Sequence, residues 1–318
     1  MRVGSGEFVF EVIHNWGRLP AGWSLGPVAN GACDSQDRVY VMSRSEHPVM
    51  VFEPDGKFLG SWGEGEFSRP HGIFIGPDDS VWCIDDKDHV VTKRTPHGKV
   101  LMTLGKKGQP SDTGYDGKNT RSVKRPGPPF NRPTNVAIGP DGSIYVSDGY
   151  GNCRVHKFSP DGKLLSSWGE PGSGPGQFCQ VHSVRIDSKQ RAFIPDRENN
   201  RVQVFDLSGK FLAQWPNMHR PTGIHIGPDN NMYVTENHVA ATADRAFIPP
   251  QLSIWTLEGQ ALARWGGDDF LTPGNFYTPH GLWGDSQGNL YAGENPISAS
   301  RPAPPPDYPT LHKFVRVR

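Results

Sequence analysis

Short apolar segments alternate with turn residues along the whole chain, and the arrangement repeats. In the clearest copy, residues 69–85, an Arg-Pro-His sequence leads into one apolar segment, a Pro-Asp turn follows, and a second apolar segment ends at Asp85. The pattern occurs six times, each time followed by further apolar segments, of which the last commonly ends in Trp-Gly. Short segments of this kind between Gly, Pro, Asn and Asp predict β-strands joined by hairpins rather than by helices.

Each complete repeat contains four predicted strands, and the repeats fill almost the whole chain. We place them at residues 27–63, 67–105, 130–169, 178–215, 220–266 and 278–318. The last repeat has only three predicted strands, but residues 6–17 carry the Trp-Gly ending that it lacks. Four-stranded units of about 40 residues are typical of β-propellers. The sequence therefore predicts an all-β fold, a single domain over residues 1–318, built as a six-bladed β-propeller whose ring is closed by the N-terminal strand in the last blade.

One position in the repeat alternates between histidine and smaller residues. Counting back from the start of each second strand by a fixed number of residues gives Ala29, His71, Thr134, His182, Thr222 and His280. Alternate blades of a six-bladed ring place equivalent side chains around one axis, so the three histidines should converge. Three neutral imidazoles with a fourth position open are the protein part of a catalytic zinc site. The alternative is that these side chains only pack the axial channel, as we expect of the two threonines.

The segment that follows each second strand should open on the same face as the histidines. An acidic residue stands there in five blades: Asp85, Asp148, Asp196, Glu236 and Glu294. A carboxylate at a strand end can cap backbone N–H groups or orient a histidine. We expect one of these structural roles for each of the five.

Three other residues on this face have side chains that could bind a substrate or react with it. Arg44 and Arg197 bring a planar, forked cation, which fits two-point binding of a carboxylate. Tyr150 follows the second strand of the third blade and is either an aromatic wall of the pocket or a general base. Beside a metal dication and two arginines, we expect the phenol to shift toward phenolate, which favours the second role.

Four stretches in the middle of the chain resemble a known enzyme family. They are residues 148–154 (DGYGNCR), 168–178, 181–183 (VHS) and 196–201 (DRENNR). Together they are similar to the lyase half of the peptidylglycine α-amidating enzymes, which are six-bladed propellers of NHL-type repeats. The resemblance extends over nearly the whole chain at the level of repeats and is most specific between residues 132 and 205.

The resemblance implies zinc bound by three histidines, a tyrosine that acts as the base, and two active-site arginines. In this chain those residues are, in the same order, His71, His182 and His280, then Tyr150, then Arg44 and Arg197. It implies cleavage of the N–Cα bond of a C-terminal α-hydroxyglycine, which releases a peptide amide and glyoxylate. Zinc would acidify the α-hydroxyl, the two arginines would hold the carboxylate, and the tyrosine would take the hydroxyl proton.

The chain also departs from that family. The animal enzymes follow the third histidine with an aspartate at a structural calcium (Ca2+), whereas this chain has Gly281, which speaks against calcium here. Gly151 replaces a cysteine that forms a disulfide in the animal enzymes. The four cysteines lie singly in different repeats, so we expect reduced thiols. Cys179 lies three residues before His182, so a metal ligand role for its thiolate stays an alternative. The metal expected is zinc (Zn2+) or another divalent transition metal.

Charge and hydropathy narrow the range of partners. The chain carries 33 basic and 33 acidic residues, so it has no electrostatic footprint for nucleic acid or an anionic membrane. No segment is apolar enough for a membrane span, and the start of the chain has no apolar signal core. We expect a cytoplasmic monomer that acts on a small molecule or a short peptide with an α-hydroxy acid end.

Three functions are compatible with the sequence. The first is the zinc-dependent lyase acting on an α-hydroxyglycine. The second is a zinc-dependent hydrolase of a small ester, lactone or amide, which would use metal-activated water instead of the substrate hydroxyl. The third is a non-catalytic propeller whose face binds a protein or a glycan. Metal content separates the third function from the others, and product identity separates the first two.

Overall fold

The computed structural model describes most of the chain. The described residues are 1–14, 16–296 and 301–317. The sixth blade is predicted at residues 278–318 with 6–17, and residues 15, 297–300 and 318 of that prediction lie outside the described part.

Strands make up nearly all of the described secondary structure. In chain order they are β1 (Arg2–Ser5), β2 (Phe8–Ile13), β3 (Val28–Cys33), β4 (Val39–Ser43), β5 (Val49–Phe52), β6 (Phe58–Trp62), β7 (Pro70–Ile75), β8 (Val81–Asp85), β9 (Val90–Arg94), β10 (Val100–Gly105), β11 (Pro133–Ile138), β12 (Ile144–Asp148), β13 (Arg154–Phe158), β14 (Leu164–Trp168), β15 (Glu170–Pro171), β16 (Gln177–Phe178), β17 (Arg185–Ile186), β18 (Arg191–Asp196), β19 (Arg201–Asp206), β20 (Phe211–Trp215), β21 (Pro221–Ile226), β22 (Asn231–Glu236), β23 (Gln251–Thr256), β24 (Ala261–Gly266), β25 (Pro279–Gly284), β26 (Leu290–Glu294) and β27 (Leu311–Arg316). Two one-turn 3-10 helices, Thr120–Ser122 and Arg197–Asn199, complete the described elements. The six-bladed propeller arrangement confirms the predicted fold class. None of the helices in the described part is long and apolar enough to cross a membrane.

The strands group into two compact units. The terminal unit consists of Met1–Ser61 with His219–Arg318, and the central unit is Trp62–Met218. The central unit holds three four-stranded sheets, β7 to β10, β11 to β14 and β17 to β20, with the short parallel pair β15 and β16. The terminal unit holds two four-stranded sheets, β3 to β6 and β21 to β24, and one five-stranded sheet. The single domain over residues 1–318 stays a prediction.

The five-stranded sheet joins the two ends of the chain. Its order is β1, β2, β27, β26, β25, and β2 pairs antiparallel with β27, with Phe10 opposite Arg316 and Ile13 opposite Lys313. This pairing confirms that the N-terminal strand completes the last blade. The strand ends at Ile13, before the Trp-Gly ending, and β1 adds a fifth strand that the sequence did not predict.

Two aromatic residues tie the N-terminal segment into the core of the terminal unit. Phe10 is fully buried, and its ring centroid lies 5.4 Å from that of Trp265. Trp16 is also buried, with ring centroids 5.4 Å away at Phe52 and 5.1 Å away at Tyr291. Removing a buried Phe or Trp side chain typically costs about 3–5 kcal/mol. The segment is therefore expected to contribute strongly to the free energy of unfolding.

Deleting residues 1–17 is expected to lower the unfolding temperature by roughly 10 °C or more, because about 1 kcal/mol corresponds to about 2–4 °C in a domain of this size. The deletion removes both aromatic contacts and exposes the edge of β27. Thermal unfolding followed by circular dichroism measures the shift. Deletion of residues 1–5, which removes only the outermost strand, is the control and should have a smaller effect. Unchanged unfolding of the longer deletion would contradict the closure by β2.

A buried carboxylate ends the second strand in five blades and fixes the chain just before the first strand. Asp85, Asp148, Asp196, Glu236 and Glu294 accept hydrogen bonds from the backbone N–H groups of Ser68, Asn131, Cys179, His219 and Thr278, respectively. None of the five is more than 3% exposed. These carboxylates have the capping role expected from the sequence, and Asp148 and Glu294 also lie 3.2 and 2.8 Å from Nε2 of His156 and His312. They hold the backbone immediately before the position that carries histidine in alternate repeats.

Candidate metal centre

His71 stands at the start of β7, after the proline that opens this strand, and its side chain is buried. Its Nδ1 lies 2.7 Å from the carbonyl oxygen of Thr134, the residue at the same repeat position in the next blade. A carbonyl only accepts, so Nδ1–H donates and the neutral ring carries its lone pair on Nε2. Such a hydrogen bond fixes the tautomer and the ring orientation of a histidine that binds a metal.

His280 has the same arrangement in the terminal unit. It is the second residue of β25, its side chain is buried, and its Nδ1 lies 2.6 Å from the carbonyl oxygen of Ala29. Ala29 again stands at the same repeat position in the following blade of the repeat order. The donation from Nδ1–H places the lone pair of the neutral ring on Nε2.

His182 lies just before β17, in a segment held by the neighbouring strand. Its backbone N–H donates to the carbonyl of Pro195 over 3.0 Å, and Val181 forms a β-bridge with Asp196. The side chain is buried, and its ring centroid lies 5.1 Å from that of His71. The first strand of this blade, β17, is only two residues long and does not include His182. The bridge from Val181 and the capping carboxylate of Asp196 hold this histidine instead.

Tyr150 brings an oxygen atom to two of these histidines. Its hydroxyl lies 3.0 Å from Nε2 of His71 and 3.1 Å from Nε2 of His182. A phenol has one proton, so it can donate to only one of the two nitrogen atoms at a time. The preceding residue, Gly149, lets the loop approach closely, because a Cβ there would lie 1.9 Å from the carbonyl oxygen of Val181.

The three predicted metal ligands lie in both compact units, His71 and His182 in the central unit and His280 in the terminal unit. All three side chains are buried. Neutral imidazoles that present Nε2 are common ligands for zinc and several other transition metals. A metal site formed by all three histidines stays a prediction, as does the identity of the metal.

Cys179, considered above as a thiolate ligand, is not one of the candidate metal ligands found among the described residues. Burial raises the pKa of its thiol, so the protonated form is favoured. All four cysteines are free thiols, as expected from their positions in the sequence.

The two predicted arginines lie on the segments that follow second strands. Arg197 begins a 3-10 helix after β18, and its Nε lies 3.4 Å from Oε1 of Glu198. Its backbone N–H donates to the carbonyl of Gln180, two residues before His182. Arg44 follows β4 in the terminal unit, and its backbone N–H donates to the carbonyl of Pro27. The binding of a carboxylate by these side chains stays a prediction.

Sequence reasoning missed two other arginines that lie beside Tyr150. The guanidinium carbons of Arg69 and Arg132 lie 5.5 and 5.7 Å from the centroid of its ring. Each arginine is followed by proline and stands two residues before the repeat position of His71 or Thr134. The recurring Arg-Pro pair was the available signal, because it places both side chains at the start of neighbouring first strands.

A family model described as a 6-bladed beta-propeller matches residues 129–217. Among solved structures, the chain superposes on virginiamycin B lyase from Staphylococcus aureus with a TM-score of 0.61 at 15% sequence identity, covering 97% of this chain and 100% of that one. At this identity the likeness shows a shared fold alone.

The chain also has curated relatives of closer sequence. NHL repeat-containing protein 3 of Homo sapiens is 30% identical over 259 residues, which cover 74% of this chain and 71% of that protein. Peptidylglycine alpha-amidating monooxygenase of Rattus norvegicus is 32% identical over 241 residues, covering 65% of this chain but only 23% of the rat protein. Peptidyl-alpha-hydroxyglycine alpha-amidating lyase 1 of Drosophila melanogaster is 34% identical over 186 residues, covering 54% of this chain and 32% of that protein.

Proposed function

This chain belongs to the family of NHL-repeat β-propellers that includes NHL repeat-containing protein 3 and is a relative of the amidating enzymes, and we propose that it is a metal-dependent lyase. It cleaves the N–Cα bond of an α-hydroxyglycine to give an amide and glyoxylate. The observation that carries the proposal is the position of the Tyr150 hydroxyl, within 3.1 Å of Nε2 of both His71 and His182. A base at hydrogen-bond distance from metal-ligating nitrogen atoms suits a substrate hydroxyl that is held at the same point.

The curated relatives support a lyase over other activities of the same fold. One of them is named as a peptidyl-alpha-hydroxyglycine alpha-amidating lyase, and another as a peptidylglycine alpha-amidating monooxygenase. Both share about a third of their aligned residues with this chain. The substrate, the metal and the partners of this chain are part of the proposal.

The residues present fit a zinc ion. His71 and His280 each fix their tautomer by donating Nδ1–H to a backbone carbonyl, and His182 completes the buried set of nitrogen ligands. Zinc bound there would supply Lewis acidity, which lowers the pKa of the α-hydroxyl group of the substrate, and a template that orients that group. A structural calcium is not part of the proposal, because Gly281 offers no carboxylate.

The protein residues perform the remaining steps. Arg44 and Arg197 hold the substrate carboxylate by paired hydrogen bonds. In its deprotonated form, the phenolic oxygen of Tyr150 takes the proton of the α-hydroxyl group, the carbon–oxygen double bond of glyoxylate forms, and the N–Cα bond breaks. The electron pair of that bond goes to the nitrogen, which takes the proton back from the phenol of Tyr150 and leaves as the amide.

The test is product analysis with α-hydroxyhippurate and zinc-loaded protein. A lyase releases benzamide and glyoxylate in equal amounts, whereas a hydrolase of the amide bond releases benzoate. A metal-loaded protein that gives neither benzamide nor glyoxylate, but hydrolyses esters or lactones, would replace the proposal by the hydrolase. A protein that purifies without metal and binds none would favour the non-catalytic propeller. The monomeric state and the cytoplasmic location stay predictions.

Replacing Arg197 by lysine is expected to raise KM for α-hydroxyhippurate about tenfold, equivalent to about 1.4 kcal/mol, with a smaller change in kcat. Lysine keeps the positive charge but loses the planar fork that binds a carboxylate at two points. Steady-state kinetics measure the split. Arg191→Lys is the control, because Arg191 pairs with Asp187 in a turn of the same blade. An unchanged KM in Arg197→Lys would remove this residue from the carboxylate site.

A further inference from the structure

The two arginines beside Tyr150 share one carboxylate. Arg69 Nη1 lies 3.3 Å from Oδ2 of Asp86, and Arg132 Nη2 lies 3.5 Å from Oδ1 of the same residue. The side chain of Asp86 is fully buried, whereas those of Arg69 and Arg132 are 32% and 19% exposed. We call these three residues the Asp86 cluster. Its carboxylate pairs with both of the guanidinium groups that lie over the ring of Tyr150.

Hydrogen bonds to groups other than Tyr150 also hold the members of the Asp86 cluster in place. The N–H of Asp86 donates to the carbonyl of Arg69 over 3.2 Å, so these two residues are joined where β7 begins and β8 ends. Arg132 has a positive φ of 65°, and its N–H donates to Nδ1 of His89 over 3.0 Å. Its Nη1 donates to the hydroxyl of Tyr115 over 3.3 Å. Asp86 is thus a fixed anchor to which two long, otherwise flexible side chains are tied.

The Asp86 cluster lies beside Tyr150, whose hydroxyl has to be placed accurately for the proposed reaction. The hydroxyl lies 3.0 and 3.1 Å from two separate Nε2 atoms, so a small tilt of the ring would move it away from both histidines. The N–H of Tyr150 makes a long hydrogen bond, 3.4 Å to the carbonyl of Arg132, and the N–H of the next residue, Gly151, donates to the carbonyl of Asn131 over 3.0 Å. Cations over an aromatic ring attract it and limit its rotation. Without the carboxylate, two like charges would face each other next to the ring and move apart.

We propose that Asp86 is a positioning residue, which holds Arg69 and Arg132 against the ring of Tyr150 and so fixes the phenolic oxygen at His71 and His182. The proposal rests on the proposed function for its kinetic consequence but not for its structural one. In this proposal Arg69 and Arg132 orient the base, whereas Arg44 and Arg197 bind the substrate.

The kinetic test is a double-mutant cycle between Asp86 and Tyr150. Asp86→Asn keeps the shape but removes the charge, and it should lower kcat for α-hydroxyhippurate by about 10²-fold, as expected for a base displaced by about 1 Å, with little change in KM. In the Tyr150→Phe background the same change should lower kcat less than twofold, because Asp86 acts through the phenol. Equal losses in both backgrounds would overturn the proposal.

The matched control is Asp187→Asn. Asp187 is also a buried aspartate of the central unit, and it pairs with Arg191 over 2.8 Å in a turn, where the structure gives it no contact with Tyr150. Its replacement should leave kcat within about twofold of wild type at a comparable loss of stability. A loss of kcat in this control equal to that of Asp86→Asn would mean that destabilisation alone explains the effect.

A second measurement does not need turnover. The chain has eight tyrosines, so protein labelled with 3-fluorotyrosine gives a fluorine spectrum in which Tyr150→Phe identifies the signal of Tyr150. That signal should shift or broaden in Asp86→Asn and in Arg132→Gln, and stay in place in Asp187→Asn. If the wild-type protein has no lyase activity, the proposed function fails and this spectrum alone decides the positioning role. An unchanged Tyr150 signal in both cluster variants would overturn the role even in an active lyase.

Discussion

Replacing Tyr150 by phenylalanine is expected to lower kcat for α-hydroxyhippurate by about 10²–10⁴-fold, the usual contribution of a general base. Phenylalanine keeps the ring beside Arg69 and Arg132 and loses only the oxygen that lies at Nε2 of His71 and His182. KM should change little, because the proton is transferred after binding. Glyoxylate release under saturating substrate measures the effect.

Metal content and a second tyrosine serve as controls for this result. Tyr150→Phe should bind as much zinc as wild type, since the imidazoles are the proposed ligands. Tyr115→Phe removes a hydroxyl that accepts from Arg132 and does not contact the histidines in the described structure, so its effect on kcat should be much smaller. A Tyr150→Phe enzyme with most of the wild-type kcat would exclude proton abstraction by this residue. That outcome would favour the hydrolase, in which metal-activated water is the nucleophile.

Replacing His182 by alanine is expected to lower zinc occupancy from about one ion per chain to a small fraction of that value, with loss of measurable lyase activity. Two remaining imidazoles leave zinc below the three protein ligands that are usual in catalytic sites. The fold should persist, because the backbone around His182 is held by the bond from its N–H to Pro195 and by the cap from Asp196 to Cys179. Elemental analysis of protein purified without chelator measures occupancy, and circular dichroism checks the fold.

The control for the histidine variant is His97→Ala. His97 is exposed in the turn between β9 and β10, so it reports any nonspecific effect of losing one imidazole. It should retain wild-type zinc content. Full occupancy in His182→Ala would show that the three histidines are not the ligand set, whatever the activity of that variant.

The fold could be predicted from the sequence largely because the turn residues and the Trp-Gly endings recur at fixed places. The same periodicity placed His71, His182 and His280 at equivalent positions, and all three side chains are buried as ligands of one site would be. Strand β1 was missed because Arg2–Ser5 is polar, short and rich in small residues, and it becomes a strand only by pairing with the edge of β2.

The Asp86 cluster shows where prediction from periodicity ends. Asp86 stands next to the capping residue Asp85, and nothing in the repeat pattern separates their roles. The difference depends on backbone conformation. Asp85 accepts hydrogen bonds from the backbone N–H groups of Ser68 and Arg69, just before β7, whereas Asp86 forms ion pairs with the side chains of Arg69 and Arg132. The positive φ of Arg132, at a residue other than glycine, also cannot be inferred from spacing.

The hydrogen bonds from Nδ1 to a carbonyl in the following repeat have a consequence for how such a centre could arise or be rebuilt. His71 depends on the backbone of Thr134, and His280 depends on the backbone of Ala29, so one repeat supplies the imidazole and its neighbour supplies the group that orients it. The smallest transferable module is therefore a pair of blades. Three tandem copies of a two-blade unit would place a histidine in every second blade beside a blade that can supply the acceptor, whereas grafting a single histidine-bearing blade into another propeller would leave the ring nitrogen without its acceptor.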